Sequence, residues 1–359
     1  MKIKVMIAAG GTGGHIYPGI AVANEILRRD PSSEVLFVGT SRGLETKIIP
    51  ENGFQLALIH SVGLKNVGLK GKIKGLTTLP RSFVEARRLL REFRPAVVVG
   101  AGGYVSGPVL MMAVIMGIPT LVMDSNALPG FTNRRLARFV DRAALTFQEA
   151  LPFFGKKGTV TGNPVRKEFF DVKPKERNGQ TSVLVFGGSQ GARAINNAMI
   201  GALDHLNGTR ETMHIVHQTG EADFEKVRAA YNEHGWESAD VRPYISDMMH
   251  EFEKADVLIC RAGATTCAEI AAAGKAAIMI PLPTAADDHQ RKNAEAMQSA
   301  GAAKMIVQDQ LSPEVLAAAL TAIAHAPETI AQMEQAAKKL AREDAAEATV
   351  DIIEKLARD

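Results

Sequence analysis

Four glycines and a histidine near the start of the chain form its first candidate chemical site. Gly10, Gly11, Gly13 and Gly14 precede His15. Glycines allow the backbone to turn tightly and to come close to another group, because they carry no Cβ. An imidazole changes its charge near neutral pH, so His15 is a candidate acid or base. The residues alone leave two interpretations open: an anion-binding loop with a histidine at its mouth, or a glycine turn with a capping histidine.

A second glycine loop, residues 187–191, follows another apolar run in the same way. A strand, a glycine loop and a helix N-terminus together form an anion site, because the first N–H groups of the helix lack partners and its dipole is positive there. We interpret this loop as a diphosphate site that needs no metal, and its recurrence in both halves of the chain favours that over a plain turn. The Ser189 hydroxyl is a further candidate ligand for phosphate oxygens.

Polar side chains cluster again further along the chain. Residues 261–266 lead into a predicted helix with Glu269 in its early turns. Glu269 is suited to accept the hydroxyls of a ribose, or else to compensate the helix dipole. His289 and Asn293 are four residues apart and share one helix face, where polar groups suit sugar hydroxyls or simply face water.

Several other classes of function are disfavoured by the sequence. The first loop is not G-x-G-x-x-G and no acidic residue ends the second predicted strand, which argues against dinucleotide redox chemistry. A net charge of +3 over 359 residues and a single Trp give no sign of nucleic-acid binding. Cys260 and Cys267 are too few for a zinc site, and we expect them to stay reduced.

Short apolar strands alternate with helical segments along the whole chain, which predicts parallel sheets covered by helices. The predicted strands are 3–7, 34–38, 55–59, 96–100, 119–123, 142–147 and 158–161, and then 182–186, 214–218, 241–245, 257–260, 276–280 and 303–307. Residues 163–180 are rich in Pro, Lys, Arg and Asn and are predicted to link two domains. Two doubly wound domains would place their glycine loops on either side of a cleft.

Six motifs in one order give the chain a family resemblance. They are Gly10 to His15, Gly102-Gly103-Tyr104, Asn126 to Gly130, Gly162 to Arg166, Gly187 to Ala192 and Arg261 to Ala264. The chain resembles the MurG-type transferases, which add N-acetylglucosamine (GlcNAc) to the lipid-linked muramoyl-pentapeptide precursor of peptidoglycan. The resemblance implies the GT-B architecture, two Rossmann-like parallel-sheet domains that face a cleft. We expect an acceptor domain at 1–163, a donor domain at 164–340, and a C-terminal helix at about 341–359 that packs back on the first domain.

The resemblance also implies which residues bind the substrates. For UDP-GlcNAc these are Gly188, Ser189, Gln190 and Arg166 at the diphosphate, Glu269 at the ribose, the backbone of Ile245 at the uracil, and Asn126, Ala264, Thr265, Thr266, Gln290 and Asn293 around the sugar, with His289 at its edge. Thr12, Gly13, Gly14, His15 and Tyr104 would serve the lipid acceptor, and Thr12, Gly13 and Gly14 would also contact the donor.

The implied reaction is an inverting attack of the acceptor C4 hydroxyl on the anomeric carbon, with UDP as leaving group. His15 is the candidate base, and helix N-termini with Arg166 would stabilise the leaving diphosphate without a required metal. Asp287 and Asp288 are interpreted as a helix cap rather than a metal pair. The family commonly has Glu-Gln where this chain has Asp124-Ser125, which leaves the role of Asp124 open.

A lipid-linked acceptor requires docking on a membrane, and residues 64–94 carry nine Lys and Arg against two Glu. The residues predicted to meet an anionic leaflet are Lys72, Ile73, Leu76, Leu79, Arg81, Phe83 and Arg87. Val84, Leu89, Leu90 and Phe93 are expected to pack into the core instead. The longest apolar run, 109–118, is far shorter than the ~20 residues a span needs. We therefore expect a peripheral protein at the cytoplasmic face of the bacterial plasma membrane.

Two other functions remain as alternatives at this stage. A nucleotide-sugar-binding sensor would use the same cleft but would need neither His15 nor a membrane surface. A UDP-GlcNAc 2-epimerase on the same scaffold would also need no membrane. Release of UDP that depends on the lipid acceptor distinguishes all three.

Overall fold

The computed structural model describes residues 2–11, 13–41, 43–61, 69–173, 175, 179–188 and 190–358, and for 69–77 and 286 it describes the backbone alone. The chain forms two compact units, one of residues 1–165 with 342–359 and the other of residues 166–341.

The described residues of the first unit form a seven-stranded parallel sheet of order β3-β2-β1-β4-β5-β6-β7. Its strands are β1 (Lys4–Ala9), β2 (Glu34–Gly39), β3 (Gln55–Leu58), β4 (Val97–Gly102), β5 (Thr120–Asp124), β6 (Arg142–Leu145) and β7 (Gly158–Val160). Its helices are α1 (Gly13–Arg29), α2 (Glu45–Glu51), α3 (Leu69–Phe93), α4 (Ser106–Ile115), α5 (Phe131–Leu136) and α6 (Leu151–Phe154).

The second unit repeats this plan with a six-stranded parallel sheet of order β10-β9-β8-β11-β12-β13 in its described part. The strands are β8 (Thr181–Phe186), β9 (Met213–Gln218), β10 (Asp240–Arg242), β11 (Val257–Cys260), β12 (Ala276–Met279) and β13 (Ala303–Met305). The helices are α7 (Arg193–His205), α8 (Phe224–Glu233), α9 (Met248–Lys254), α10 (Ala264–Ala273), α11 (His289–Ser299), α12 (Pro313–Ala324) and α13 (Pro327–Leu340).

Burial on both faces explains why the central strands are continuous apolar runs rather than alternating ones. Every residue of β4, β5 and β11 is buried, as expected for parallel strands between two helix layers. The predicted fold class, two parallel α/β domains, is confirmed, and each predicted strand is present. The predicted strand 241–245 is shorter than expected, since β10 ends at Arg242 and the next residue, Pro243, has no N–H for a strand ladder.

The chain returns to the first unit at its C-terminal end. The last helix, α14 (Ala345–Leu356), packs on α1, where Val350 and Ile353 are fully buried. Arg29 forms ion pairs with Asp351 at 2.7 Å and with Glu354 at 3.5 Å. An apolar contact between the two helices is thus flanked by charge pairs.

The strand order reverses at the same place in each sheet. β1 lies between β2 and β4, and β8 lies between β9 and β11. Ligands of doubly wound sheets bind outside the carboxyl ends of the strands where the order reverses. The loops after β1 and β4, and those after β8 and β11, are therefore the positions where each unit would hold a ligand.

Candidate active site

The His15 side chain packs directly against the backbone at Gly102, the last residue of β4. A methyl group at the Cα of Gly102 would lie 2.2 Å from the His15 Nδ1, and one at Gly103 would lie 2.2 Å from the Gly10 carbonyl oxygen. Both glycines have positive φ angles, +122° and +81°. The two glycine segments assigned to the acceptor are thus in contact with each other, and a side chain at 102 or 103 would force them apart.

A fully buried carboxylate, Glu45 at the start of α2, lies beneath this loop. It accepts hydrogen bonds from the Gly11 N–H at 2.9 Å and from the N–H and hydroxyl of Thr40 at 2.9 and 2.8 Å. Burial alone would raise the pKa of Glu45, but these hydrogen bonds hold it below its ordinary value. Sequence reasoning missed Glu45, although its signal is present in the glycines at 39 and 43 that make room for it.

The other predicted acceptor residues lie in the same two segments, around His15 and after Gly103. Gly13 and Gly14 are the first two residues of α1, and Tyr104 is 60 % exposed. The Tyr104 backbone is held by the Ser61 hydroxyl, which donates to its carbonyl at 2.8 Å. Its ring is therefore available to a ligand while its backbone is fixed. Thr12 lies outside the described residues.

Asp124, whose role the sequence left open, organises the loop that carries Asn126. Its buried carboxylate accepts from the N–H groups of Asn126 and Gly130, both at 3.0 Å, and from the Asn133 Nδ2 at 2.9 Å. Burial raises the pKa of Asp124, against the effect of these hydrogen bonds. The aspartate therefore reaches its partners despite its short side chain. Asn126 is in the first unit and half-buried, and its contact with the donor stays a prediction.

A pocket of about 540 Å³ opens in the second unit where its strand order reverses. It is lined by the loop after β8, by the start of α7 and by the segment from Arg261 to Thr266, together with Leu282, Gln290 and Gln308. Both α7 and α10 begin without a side-chain cap. Two helix N-termini with uncapped N–H groups thus open into one pocket, which is the arrangement expected for a diphosphate.

Glycines let the loops around this pocket pack closely. A methyl group on Gly191 would lie 1.8 Å from the Thr219 carbonyl oxygen, and one on Gly220 would lie 2.2 Å from the Gln190 carbonyl oxygen. The predicted ligands Gly188 and Gln190 are in this loop, and Ser189 lies outside the described residues. The loop after β8 is thus held against the loop after β9 by backbone contact.

Arg261 is a second functional candidate, which the sequence analysis placed in a motif without assigning it a role. Its guanidinium donates to the carbonyls of Ile280 and Pro281 at 3.1 and 3.2 Å and to the Gln308 Oε1 at 2.8 Å. Burial lowers the pKa of Arg261, but an arginine stays charged at neutral pH. Arg261 lines the pocket, and because these three partners are neutral oxygens they do not neutralise its positive charge.

Glu269 lies one turn beyond Thr266 on α10. Burial raises its pKa to about 7, and the nearby charge of Arg166 opposes that rise. On the same helix, the buried hydroxyl oxygen of Thr265 has no hydrogen-bond partner among the described residues. A polar atom left unsatisfied at the start of this helix is consistent with its predicted contact to a ligand.

The predicted sugar-binding residues of α11 differ in position. Gln290 lines the pocket and its Oε1 accepts from the Leu282 N–H at 3.0 Å. Asn293 is fully buried and donates to the Ala262 carbonyl at 3.2 Å. It therefore supports the loop before α10 from below. His289 is partly exposed at the first turn of the helix, and Ala264 is the first residue of α10.

Asp287 and Asp288, interpreted from the sequence as a helix cap, directly precede α11, so the predicted position of the cap is confirmed. Asp288 is at the N-cap of α11, but its side chain makes no cap hydrogen bond, and both aspartates have positive φ. Within the described part of the chain, no group of three or more His, Cys, Asp and Glu is placed to hold a metal ion.

The predicted membrane surface is described in part. Arg81 is 62 % exposed on its side chain, Arg87 is exposed, and Leu79 and Phe83 are half-buried. Lys72, Ile73 and Leu76 belong to α3, but their side chains lie outside the described residues. Val84 was expected in the core and is 69 % exposed, because it points away from Ala86 and Leu90, which face the sheet.

Two further apolar side chains of the first unit are exposed. Ile115 at the end of α4 is 67 % exposed, and Phe139 after α5 is 53 % exposed beside the exposed Arg138. We call Leu79, Arg81, Phe83, Val84 and Arg87 the basic–apolar surface. No described helix is long and apolar enough to cross a bilayer.

Family models match most of the chain. The glycosyltransferase family 28 N-terminal domain matches residues 5–145, and the glycosyltransferase family 28 C-terminal domain matches residues 182–349. A protein of Syntrophus aciditrophicus is 49% identical over 98% of each chain, and one of Myxococcus xanthus is 46% identical over 98% of this chain and 92% of its own. Both are named UDP-N-acetylglucosamine--N-acetylmuramyl-(pentapeptide) pyrophosphoryl-undecaprenol N-acetylglucosamine transferase.

Solved structures have the same two-domain fold. The MurG of Acinetobacter baumannii is 32% identical, with a TM-score of 0.81 over 99% of this chain and 100% of its own. A UDP-GlcNAc 2-epimerase of Neisseria meningitidis, bound to UDP-GlcNAc, is 14% identical with a TM-score of 0.70 over 98% of this chain and 100% of its own. Because the identity is only 14%, this likeness shows that the two chains share a fold and nothing about their activities. The GT-B fold predicted from the sequence is thus confirmed.

Proposed function

Since the chain belongs to glycosyltransferase family 28, we propose that it transfers GlcNAc from UDP-GlcNAc to the C4 hydroxyl of the muramoyl residue of undecaprenyl-diphospho-MurNAc-pentapeptide. The observation that carries this proposal is the pocket of the second unit, where two uncapped helix N-termini and Arg261 surround one space. A nucleotide diphosphate matches that space in charge. The names of the relatives supply the sugar and the lipid acceptor.

The second unit would bind the diphosphate, the ribose and the uracil of the donor. The diphosphate would accept from the N–H groups of the loop at Gly188 and pair with Arg166 and Arg261. Glu269 would accept both ribose hydroxyls in its ionised form. The atom through which Ile245 would read uracil is its carbonyl oxygen, since its N–H already donates to Gln218.

His15 would act as the general base of an inverting transfer. The C4 hydroxyl oxygen attacks the anomeric carbon and its proton passes to the imidazole. The bond from that carbon to the β-phosphate oxygen breaks, and its electron pair leaves with UDP. Charge grows on the diphosphate as this happens, and helix N-termini already aimed at it stabilise that charge without reorganisation.

The acceptor would bind in the first unit with its lipid in a bilayer. Support comes from the basic–apolar surface, where exposed cations surround the exposed Val84. Anionic lipid attracts each well-placed cation by about 1 kcal/mol. We therefore propose that the protein binds the cytoplasmic face of the plasma membrane as a peripheral protein.

Release of UDP in the presence and absence of the lipid acceptor tests the proposal. The proposed transferase releases UDP with UDP-GlcNAc only when the lipid-linked acceptor is present, and the product is a disaccharide on the lipid. UDP release that ignores the acceptor points to an epimerase or hydrolase. Tight binding of UDP-GlcNAc with no release under either condition points to a sensor.

A further inference from the structure

Gln218, the last residue of β9, connects two parts of the donor site. Its Oε1 accepts from the Ile245 N–H at 2.8 Å, and its Nε2 donates to the Gly188 carbonyl at 3.0 Å. Ile245 is the residue proposed to bind uracil through its backbone, and Gly188 belongs to the loop proposed to bind the diphosphate. One side chain thus holds both ends of the site for uridine diphosphate.

The chemistry of the partners fixes the orientation of this amide. A backbone N–H can only donate and a carbonyl can only accept, so the oxygen must face Ile245 and the nitrogen must face Gly188. Gln218 is 2 % exposed, which means that water does not replace either bond when it is lost. Glutamate lacks the donor at this position, and methionine lacks both groups.

The neighbouring backbone continues the same connection. The Thr219 N–H donates to the Arg242 carbonyl at 3.0 Å, and the Gly220 N–H donates to the Pro243 carbonyl at 3.1 Å. Gly188 is held from inside its own loop as well, because its carbonyl also accepts from the Gly191 N–H at 2.9 Å. The segment that follows β9 thus bonds to the loop after β10, and the Gln218 side chain bonds to that loop and to the loop after β8.

We propose that Gln218 is a positioning residue that sets the distance between the uracil subsite and the diphosphate subsite. The inference rests on the proposed donor site, and it assigns Gln218 no contact with the reacting atoms. The affinity for a ligand that has both a uracil and a diphosphate depends on that distance, whereas the affinity for uridine, which has no diphosphate, does not. Loss of Gln218 therefore weakens the binding of UDP more than the binding of uridine.

Calorimetric titration of the full chain with uridine and with UDP, at one pH and one ionic strength, tests this. In Gln218→Met we expect UDP affinity to fall about tenfold or more and uridine affinity to fall about threefold or less. The tenfold loss for UDP corresponds to the net free energy of one or two buried hydrogen bonds. Gln298→Met is the matched control, because the Gln298 Oε1 also accepts a backbone N–H, that of Met305, at 2.8 Å. It should leave both affinities unchanged.

Two further readouts separate positioning from a loss of folding. Thermal unfolding shows whether Gln218→Met is folded at the titration temperature, and Gln218→Asn, whose amide is too short to span both partners, is the second variant. The KM for UDP-GlcNAc should rise in both variants, while the KM for the lipid acceptor and the kcat at saturating donor stay near the wild-type values.

Three results would overturn the inference. If the UDP affinity of Gln218→Met stays within threefold of the wild-type value, Gln218 has no positioning role. If the affinities for uridine and UDP fall equally, Gln218 only supports the loop that binds uracil. A rise in affinity would show that uracil itself takes the Ile245 N–H in competition with Gln218. A wild-type protein that binds neither ligand would instead refute the proposed function.

Discussion

The imidazole of His15 lies against Gly102, so closely that a methyl group on that glycine would stand 2.2 Å from the Nδ1. The Nδ1 side of the ring is thus packed against backbone rather than against a mobile side chain. A general base whose orientation is fixed by rigid neighbours is rarely turned away from the proton that it accepts. The position of the proposed base therefore depends on a residue that has no functional group.

Replacement of His15 by alanine should lower kcat about 10²-fold to 10⁴-fold, the usual contribution of a general base. Donor affinity should change little, because the residues proposed to bind UDP belong to the second unit. Initial rates with saturating UDP-GlcNAc and lipid acceptor measure the first quantity, and titration with UDP measures the second. His325→Ala, at an exposed position after α12, serves as the control. An unchanged kcat in His15→Ala would remove His15 as the base.

Gly102→Ala should reproduce much of this loss of kcat, because the added methyl group displaces the imidazole. Gly117→Ala is a matched control, since Gly117 also has a positive φ, +69°, but has open space around its Cα. Both variants place an alanine at a positive φ, +122° at residue 102 and +69° at residue 117, which costs about 1–3 kcal/mol of backbone strain, and thermal unfolding measures that cost in each. A large difference in kcat between them therefore reports the contact with His15. Equal kcat values would show that the contact does not matter for catalysis.

The strands, the glycine loops and the two-domain plan were predictable because each is encoded locally. Apolar runs of five or six residues bounded by glycine give parallel strands, and the loops that follow them must lie where the strand order reverses. Glu45 was not found and Arg261 was assigned no role, since their contacts depend on neighbours 34 and 47 residues away in the chain, Gly11 and Gln308. Val84 was misassigned because a helix with apolar residues on two faces does not show by periodicity which face meets the sheet.

Binding of UDP-GlcNAc should strengthen as the pH rises through about 7. Burial raises the pKa of Glu269 to about 7, so this side chain is mostly protonated at pH 6 and mostly ionised at pH 8. Two ribose hydroxyls donate best to the ionised form, and the fraction ionised rises about tenfold over that range. The diphosphate of UDP-GlcNAc does not titrate there, so its affinity in the absence of acceptor reports Glu269. Glu269→Gln should bind more weakly at pH 8 and show no such rise, and a wild-type affinity independent of pH would contradict this role.

Replacement of Asp124 by asparagine should destabilise the loop that follows β5. The aspartate accepts hydrogen bonds from the N–H groups of Asn126 and Gly130 and from the side chains of Asn126 and Asn133, and an amide would place its own N–H groups against some of these donors. A buried donor left without an acceptor costs about 1–3 kcal/mol. Urea unfolding should therefore show a loss of about that size in the free energy of unfolding, and kcat should fall because the loop carries Asn126. Asp309→Asn, at an exposed position after β13, should change neither quantity. Full stability in Asp124→Asn would show that the loop is held in another way.

Charge reversal on the basic–apolar surface should release the protein from anionic vesicles without affecting its chemistry. Arg81→Glu with Arg87→Glu removes two cations and adds two anions beside Val84, and each cation near the surface is worth about 1 kcal/mol. Co-sedimentation with phosphatidylglycerol vesicles at low salt should fall about tenfold or more, and activity should survive on a short-chain acceptor that needs no bilayer. Lys254→Glu with Lys304→Glu changes the net charge equally at exposed positions of the second unit and should leave vesicle binding nearly intact. If both pairs reduce binding equally, net charge and not this surface directs the protein to the membrane.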